Sequence, residues 1–142
     1  MGLTGHVAEI EYHFGSVDAT EMRDTLQEVL IATKYFNPNP NKDKMFRRPG
    51  DEHDISHVHL IRDSPVDDSM ILYATCTSPM LGFVDDIAFS INAVDSNLTI
   101  VKGLSISRIG ESDFYKNKKN LKLIIRGLRE HYELKKQTII RS

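Results

Sequence analysis

Two neighbouring stretches of the sequence bring together carboxylates, hydroxyls and basic groups. The first, G-F-V-D-D-I-A-F-S-I-N, contains the adjacent aspartates Asp85 and Asp86. The second, L-T-I-V-K-G-L-S-I-S-R, leads into the polar run S-D-F-Y-K-N-K. Side chains of these types build acid/base sites, metal sites and anion pockets. The candidate polar cluster consists of Asp85, Asp86, Ser105, Ser107, Arg108, Ser112, Asp113, Asn117 and Lys118.

Strand alternation places Asp85 on an apolar face. Successive side chains of a strand point to opposite faces, so Asp85 lies in line with Ile87 and Phe89. In the second stretch, alternation puts Arg108 in line with Leu104. An unpaired buried carboxylate is costly, and a guanidinium is a suitable partner for it. We therefore predict an Asp85–Arg108 ion pair beneath the start of the last helix.

The same alternation assigns Ser105 and Ser107 to the other face, close to Asp86. A β-bulge at Lys102–Gly103 would exchange the two faces, and the glycine permits one. Three roles stay open for the cluster: a structural polar network, a ligand pocket or a catalytic site.

Catalysis has the weakest support among these three roles. No G-x-S-x-G elbow, P-loop or zinc motif accompanies the cluster, and adjacent aspartates of a strand diverge. The sequence leaves enzymatic activity open and favours its absence, and we expect no cofactor. A small anionic ligand would bind the N-terminal amides of the last helix, aided by Arg108, Ser112 and Lys118.

Two histidines raise the question of a metal. His57 and His59 share one face of a predicted strand, and an H-x-H pair could hold a divalent ion. The sequence offers no third ligand at a fixed spacing, and solvent-facing histidines are common in strands. We therefore expect no metal site.

The two stretches resemble the recurring motifs of a family of domains of unknown function, number fourteen ninety-nine. These motifs are F-V-D-D-hydrophobic-x-F and S-x-S-R-x-G-x-S-D, and the resemblance runs from about His57 to Arg126. It implies no established activity. The family pattern prefers an arginine at Leu104, a glycine at Tyr115, and arginines near Lys119 and Asn120. These departures reduce the positive charge around the cluster and imply weaker anion binding. The matching residues are Phe83, Val84, Asp85, Asp86, Phe89, Ser105, Ser107, Arg108, Gly110, Ser112, Asp113, Phe114 and Asn117.

The alternation of apolar and polar residues predicts an α+β two-layer sandwich (β-α-β-β-β-β-α). It has a five-stranded, mainly antiparallel sheet with two helices on one face. A length of 142 residues suits a single domain, residues 1–142. The predicted strands are 6–14, 57–62, 69–77, 83–92 and 98–108, and the predicted helices run from Asp18 to before Asn37 and over 113–136.

A long polar loop is predicted over residues 37–55. Within it, Met45 and Phe46 stand beside Arg47 and Arg48. The two apolar side chains either fix the loop to the core or, with the arginines, form a docking tip for a partner. Loops of this length are commonly functional or disordered.

Charge is distributed unevenly along the chain. Residues 1–112 carry 9 basic and 17 acidic side chains, net −8, whereas residues 113–142 carry 9 and 3, net +6. Lys118, Lys122, Arg126 and Arg129 line one flank of the last helix. We interpret this flank as a solvated face and not as a nucleic-acid site, because it lacks interleaved aromatic residues.

The single cysteine, Cys76, excludes a disulfide within the chain and suits a buried structural thiol. No apolar run reaches the length of a membrane span, and the first residues do not form a signal peptide. We expect a soluble intracellular protein, cytoplasmic or organellar after processing.

Two functions follow from these observations. The first is a non-enzymatic binding or scaffold module with protein partners, such as an accessory subunit of a larger assembly. The second is a small-molecule or anion-binding domain, with weak hydrolytic activity as an option, centred on the polar cluster.

Overall fold

A computed structural model describes residues 7–46, 68–108 and 116–141. These residues form two helices and a six-stranded antiparallel sheet in the order β2-β3-β4-β5-β1-β6. The α+β class is confirmed, whereas the predicted count of five strands is wrong. The elements are β1 (Val7–Phe14), α1 (Ala19–Ala32), β2 (Phe36–Asn37), β3 (Ile71–Thr77), β4 (Val84–Asp95), β5 (Leu98–Ser107), α2 (Lys116–Arg129) and β6 (Leu134–Arg141).

The main difference from the prediction lies at the end of the chain. The last helix was expected to reach residue 136, but α2 ends at Arg129 and β6 pairs antiparallel with β1. Thr138, Ile139 and Ile140 are β-branched and suit a strand better than a helix. The predicted strand 57–62 lies outside the described residues.

Helix α1 begins and packs as its sequence indicates. Asp18 caps it, because its Oδ2 accepts a hydrogen bond from Glu21 N at 3.1 Å. Met22, Leu26 and Leu30 recur at helical spacing and are fully buried. The helix ends before the prolines that follow Asn37, since proline removes a backbone donor.

The two helices pack against the same face of the sheet, which we call the helix face. Its core combines even-numbered residues of β1 with odd-numbered residues of β4 and the apolar stripes of both helices. The helices approach closely at Gly127, where an added Cβ would lie 2.5 Å from Val29 Cγ1. Glycine is therefore required there for packing, despite its poor helix propensity.

The opposite face, which we call the outer face, is covered in part by the segment before residue 47. A 3₁₀ turn at Lys42–Lys44 leads to Met45 and Phe46, which are 3% and 5% exposed. They pack against Ile71 and Leu104 of the sheet, among others. Part of the predicted 37–55 loop is thus fixed to the core, which was one of its two interpretations.

Candidate functional site

The register of β4 and β5 decides which polar residues meet. Asp85 lies opposite Ser107 and Asp86 opposite Ile106, and the pairing continues without a bulge as far as Ala93. Directly opposite residues of an antiparallel pair share a face. Ser105 and Ser107 therefore lie on the helix face with Asp85, and the prediction that they lie near Asp86 is wrong.

Asp86 is the partner of Arg108, on the outer face. Its Oδ1 accepts hydrogen bonds from Arg108 Nε at 2.9 Å and Nη2 at 2.8 Å. Its Oδ2 accepts one from Phe46 N at 2.9 Å, and Phe46 has a positive φ of 61°. The predicted Asp85–Arg108 pair is thus wrong. Asp86 instead ties the segment before residue 47 to the end of β5.

Asp85 takes its counter-charge from helix α2. Lys116 Nζ donates to Asp85 Oδ2 at 2.6 Å, and Asn120 Nδ2 donates to the same oxygen at 2.8 Å. Asp85 is 2% exposed, so this pair is largely shielded from water. Hydrogen bonds to a charged group are among the stronger ones in proteins.

Asn117 continues this arrangement along β5. Its Oδ1 accepts a hydrogen bond from Ser105 Oγ at 2.6 Å, and its Nδ2 donates to Ser107 Oγ at 2.9 Å. Asn120 Nδ2 also lies 3.3 Å from Ser105 Oγ. We call the set the polar network; its members are Asp85, Ser105, Ser107, Lys116, Asn117 and Asn120.

The polar network holds the first turn of α2 against the sheet. Apart from Lys116, its members are at most 4% exposed, and each is hydrogen-bonded to another member. Such groups leave little room for a substrate, since an incoming molecule would have to replace buried hydrogen bonds. The arrangement favours the structural role among the three that the sequence left open.

Cys76 adjoins the polar network, because it lies opposite Asp85 in the β3–β4 pairing. Burial raises the pKa of its thiol to about 11, with opposing contributions from Lys116, which lowers it, and Asp85, which raises it. A thiol of this pKa is protonated at neutral pH and is a poor nucleophile. The burial of Cys76 and the raised pKa of its thiol favour a packing role in the core.

A cavity of about 410 Å³ lies between α2, β1 and β6. Along α2, cations recur at intervals of four, four and three residues, which places them on one side of the helix. Across from them lie side chains of β1 and β6. We call this cavity the basic groove; it is lined by Ile10, Tyr12, Lys118, Lys122, Ile125, Arg126, Arg129, Leu134 and Gln137.

The basic groove contrasts with the polar network in its electrostatics. None of its described lining residues is acidic. Within residues 7–46, 68–108 and 116–141, none of its four cations forms an ion pair. Burial raises the pKa of the Tyr12 phenol above its usual range, so that the hydroxyl stays protonated. Among the described residues, nothing balances the positive charge that the groove presents beside its apolar lining.

The candidate residues are not all brought together. Lys118 lies in the basic groove, and Arg108 lies on the outer face, so these two do not share one anion site. Met45 and Phe46 are buried, and docking of a partner by this loop stays a prediction. Ser112, Asp113, Arg47, Arg48, His57 and His59 lie outside the described residues.

The described part of the chain contains neither a metal-binding cluster nor a membrane-spanning helix. No three side chains of His, Cys, Asp or Glu come together there in a way that could hold a metal ion. Neither of its helices has the length and apolar character needed to cross a bilayer.

Sequence reasoning missed two members of the polar network, Lys116 and Asn120. A usable indication was present, because Asn117 and Asn120 fall in line with Leu121 and Ile124 on the buried stripe of α2. Asparagines on the buried side of a helix require hydrogen-bond partners. Gln137 of the basic groove was missed because residue 137 was not expected in a strand.

Comparisons with known proteins give one match. The model of the family described as protein of unknown function (DUF1499) matches residues 7–128. The match begins well before His57, where the resemblance in sequence was expected to start, so it also includes β1 and α1. No curated protein and no solved structure matches the chain.

Proposed function

We propose that this chain, which belongs to the DUF1499 family of unknown function, is a non-enzymatic binding domain for a small anion with an apolar body. The ligand would occupy the basic groove and not the start of α2, where the sequence suggested an anion. The observation that carries the proposal is the row of four cations, without ion-pair partners among the described residues, beside a cavity of about 410 Å³.

The groove supports this ligand class through both of its surfaces. Ligand pockets commonly measure about 300–1,000 Å³ and combine apolar lining with a few polar groups. Here Ile10 and Ile125 lie buried beneath the groove. The partly exposed Leu134 and the aliphatic stems of Lys122 and Arg126 supply the accessible apolar part. The charged ends of Lys122 and Arg126 supply the positive charge. A carboxylate, sulfonate or phosphate would bind the cations while its hydrocarbon or aromatic part covers the apolar lining.

Fluorescence of anilinonaphthalene sulfonate, an amphiphilic anion that would bind in the groove, tests the proposal directly. We expect its emission to rise on binding and to fall when laurate displaces it. Dodecanol, which has the same chain without a charge, should displace it far less. Equal displacement by laurate and dodecanol would contradict an anion site.

A matched pair of charge reversals locates the site. Arg126→Glu should weaken laurate binding by at least about tenfold, since hydrogen bonds to charged groups contribute about 1.5–3 kcal/mol. Arg23→Glu makes the same change in net charge on the other helix, away from the groove lining, and should leave binding unchanged. Equal losses in both variants would indicate a general charge effect.

A protein-binding module is the second candidate, and the position of β6 favours it. This strand is at the edge of the sheet, and Ile139 and Ile140 are 44% and 45% exposed. Exposed edges bind partner strands by extending a sheet. If the native complex from the source organism depends on this edge, Ile140→Lys should shift the protein to its monomeric size in chromatography.

A further inference from the structure

A second surface lies at the loop that connects β3 and β4. In contrast to the basic groove, it is apolar. Residues 78–83 (S-P-M-L-G-F) contain no charged side chain. Met80 is 92% exposed, Leu81 70% and Phe83 48%. We call these three residues the apolar tip. Adjacent exposed side chains of this size commonly mark an interaction site.

The apolar tip is held in a defined shape by its own backbone. Ser78 N donates to Phe83 O at 2.8 Å, Gly82 N donates to Ser78 O at 3.1 Å, and Phe83 N donates to Ser78 Oγ at 3.0 Å. Gly82 has a φ of +69°, which glycine adopts readily. The loop thus presents Met80 and Leu81 at its centre, away from the two strands.

Aromatic side chains lie at the base of the tip. Phe83 is the last residue of the loop. The backbone of Tyr35 is hydrogen-bonded to the residue before the loop, since Thr77 N donates to Tyr35 O at 3.1 Å. Both rings are 48% exposed. Tyrosine and other amphipathic aromatic residues favour the boundary between water and the acyl region of a bilayer.

Three cations lie at the same end of the sheet. Lys34 Nζ lies 5.1 Å from the centroid of the Tyr35 ring. Arg108 N donates to the first residue of β4, and Lys116 binds Asp85 one residue further along. Arg108 and Lys116 have side chains that are 28% exposed, and their charges are balanced by the buried Asp86 and Asp85. Lys34 forms no ion pair within the described residues, so it supplies the unbalanced positive charge of this end.

We propose that this end of the molecule binds an anionic membrane surface, with the apolar tip inserted into the interface. Met80 and Leu81 are the most exposed of these residues, Phe83 and Tyr35 are about half exposed, and Lys34 lies over the Tyr35 ring. Apolar side chains favour the acyl boundary of a bilayer, aromatic rings favour its interface and cations favour acidic headgroups.

A tryptophan reporter tests insertion, because the natural chain contains no tryptophan. Leu81→Trp should shift its emission to shorter wavelength with vesicles of phosphatidylcholine and phosphatidylserine, and much less with phosphatidylcholine alone. Val94→Trp is the matched control, since Val94 is 49% exposed and lies near the other end of β4. Its emission should not change.

Cosedimentation of the full chain with the same vesicles tests the contribution of the tip to affinity. The double variant Met80→Gln/Leu81→Gln should bind acidic vesicles about tenfold more weakly, and Val94→Gln should bind as the natural protein does. The double variant should keep the urea midpoint of the natural protein, followed by circular dichroism, which shows that it is folded.

Three outcomes would overturn this proposal. The first is no cosedimentation with acidic vesicles, which would assign the tip to a protein partner. The second is binding that survives loss of the tip, which would assign the membrane contact to other cations. The third is an equal shift of the Leu81→Trp emission with neutral and acidic vesicles, which would remove the role of the basic residues.

Discussion

Helix α2 carries two regions of opposite character. Its first turn contributes Lys116, Asn117 and Asn120, whose side chains hydrogen-bond to buried groups of the sheet. Its flank along the basic groove carries four cations without ion-pair partners in the described part of the chain. Buried polar groups that satisfy one another contribute to stability, whereas uncompensated charge is free to bind a ligand. The same helix therefore combines a structural region with a candidate binding region.

Removing Asp85 should have the largest effect, because it leaves a lysine and an asparagine without their acceptor. We expect Asp85→Ala to lower the free energy of unfolding by about 3–5 kcal/mol, the range for breaking a buried ion pair. Urea denaturation followed by circular dichroism measures this change. Asp95→Ala, an exposed change on the same strand, should cost less than about 1 kcal/mol. Similar losses in both variants would contradict a structural role for the polar network.

Asn117→Ala should cost about 1–3 kcal/mol, since it leaves the hydroxyls of Ser105 and Ser107 without their shared partner. Lys118→Ala changes the next residue of the same helix and should be nearly neutral for stability. Comparison of the urea midpoints of the two variants tests whether Asn117 stabilises the fold while the neighbouring Lys118 does not. Equal midpoints would argue against it.

Alkaline pH should weaken the structural region through Cys76. Its pKa is raised from 9.0 to about 11 in the folded protein, so the folded state holds the proton more tightly than the unfolded state. Stability is therefore unaffected below pH 9 and is lost as pH rises from 9 to 11, by on the order of 2 kcal/mol. Urea denaturation at several pH values should show a smaller decrease for Cys76→Ala. An identical decrease would exclude this thiol as its source.

The smallest effect on stability is expected in the basic groove. Lys122 and Arg126 are four residues apart on the helix, where like charges destabilise by about 0.2–0.5 kcal/mol. Arg126→Ala should therefore leave stability unchanged or raise it slightly, while it weakens binding of anilinonaphthalene sulfonate. A large loss of stability would show that Arg126 has a structural role, and the contrast between the two regions would then fail.

Much of the fold follows from local patterns in the sequence. The alternation of Ala8, Ile10, Tyr12 and Phe14 predicts β1, and all four are buried as expected. The Asp18 cap and the spacing of the apolar residues after it predict α1. The prediction for the end of the chain was wrong because the sequence of residues 130–136 resembles a continuation of the last helix. Only pairing with β1 makes a strand of β6 favourable, and that contact is distant in sequence.

The candidate site depended more strongly on long-range pairing. Apolar side chains are buried on both faces of β4 and β5, such as Ile87 on one face and Leu104 on the other. Alternation within each strand was therefore consistent with either of two relative registers. The register assumed from the sequence was the wrong one, and it paired Asp85 with Arg108. The cations of α2 were identified from the sequence, but the groove that they line was not.

By itself, the sequence determined the α+β class, most of the described strands, the capped first helix, Asp85 as an unusual carboxylate on an apolar face and the cationic flank of the last helix. These features depend on side chains within one element, whose periodicity is fixed by backbone geometry. The tertiary structure decided which cation each aspartate binds, which strand closes the basic groove and which loop remains exposed. Those outcomes depend on the register between elements, and a shift of one residue reverses every side chain of a strand.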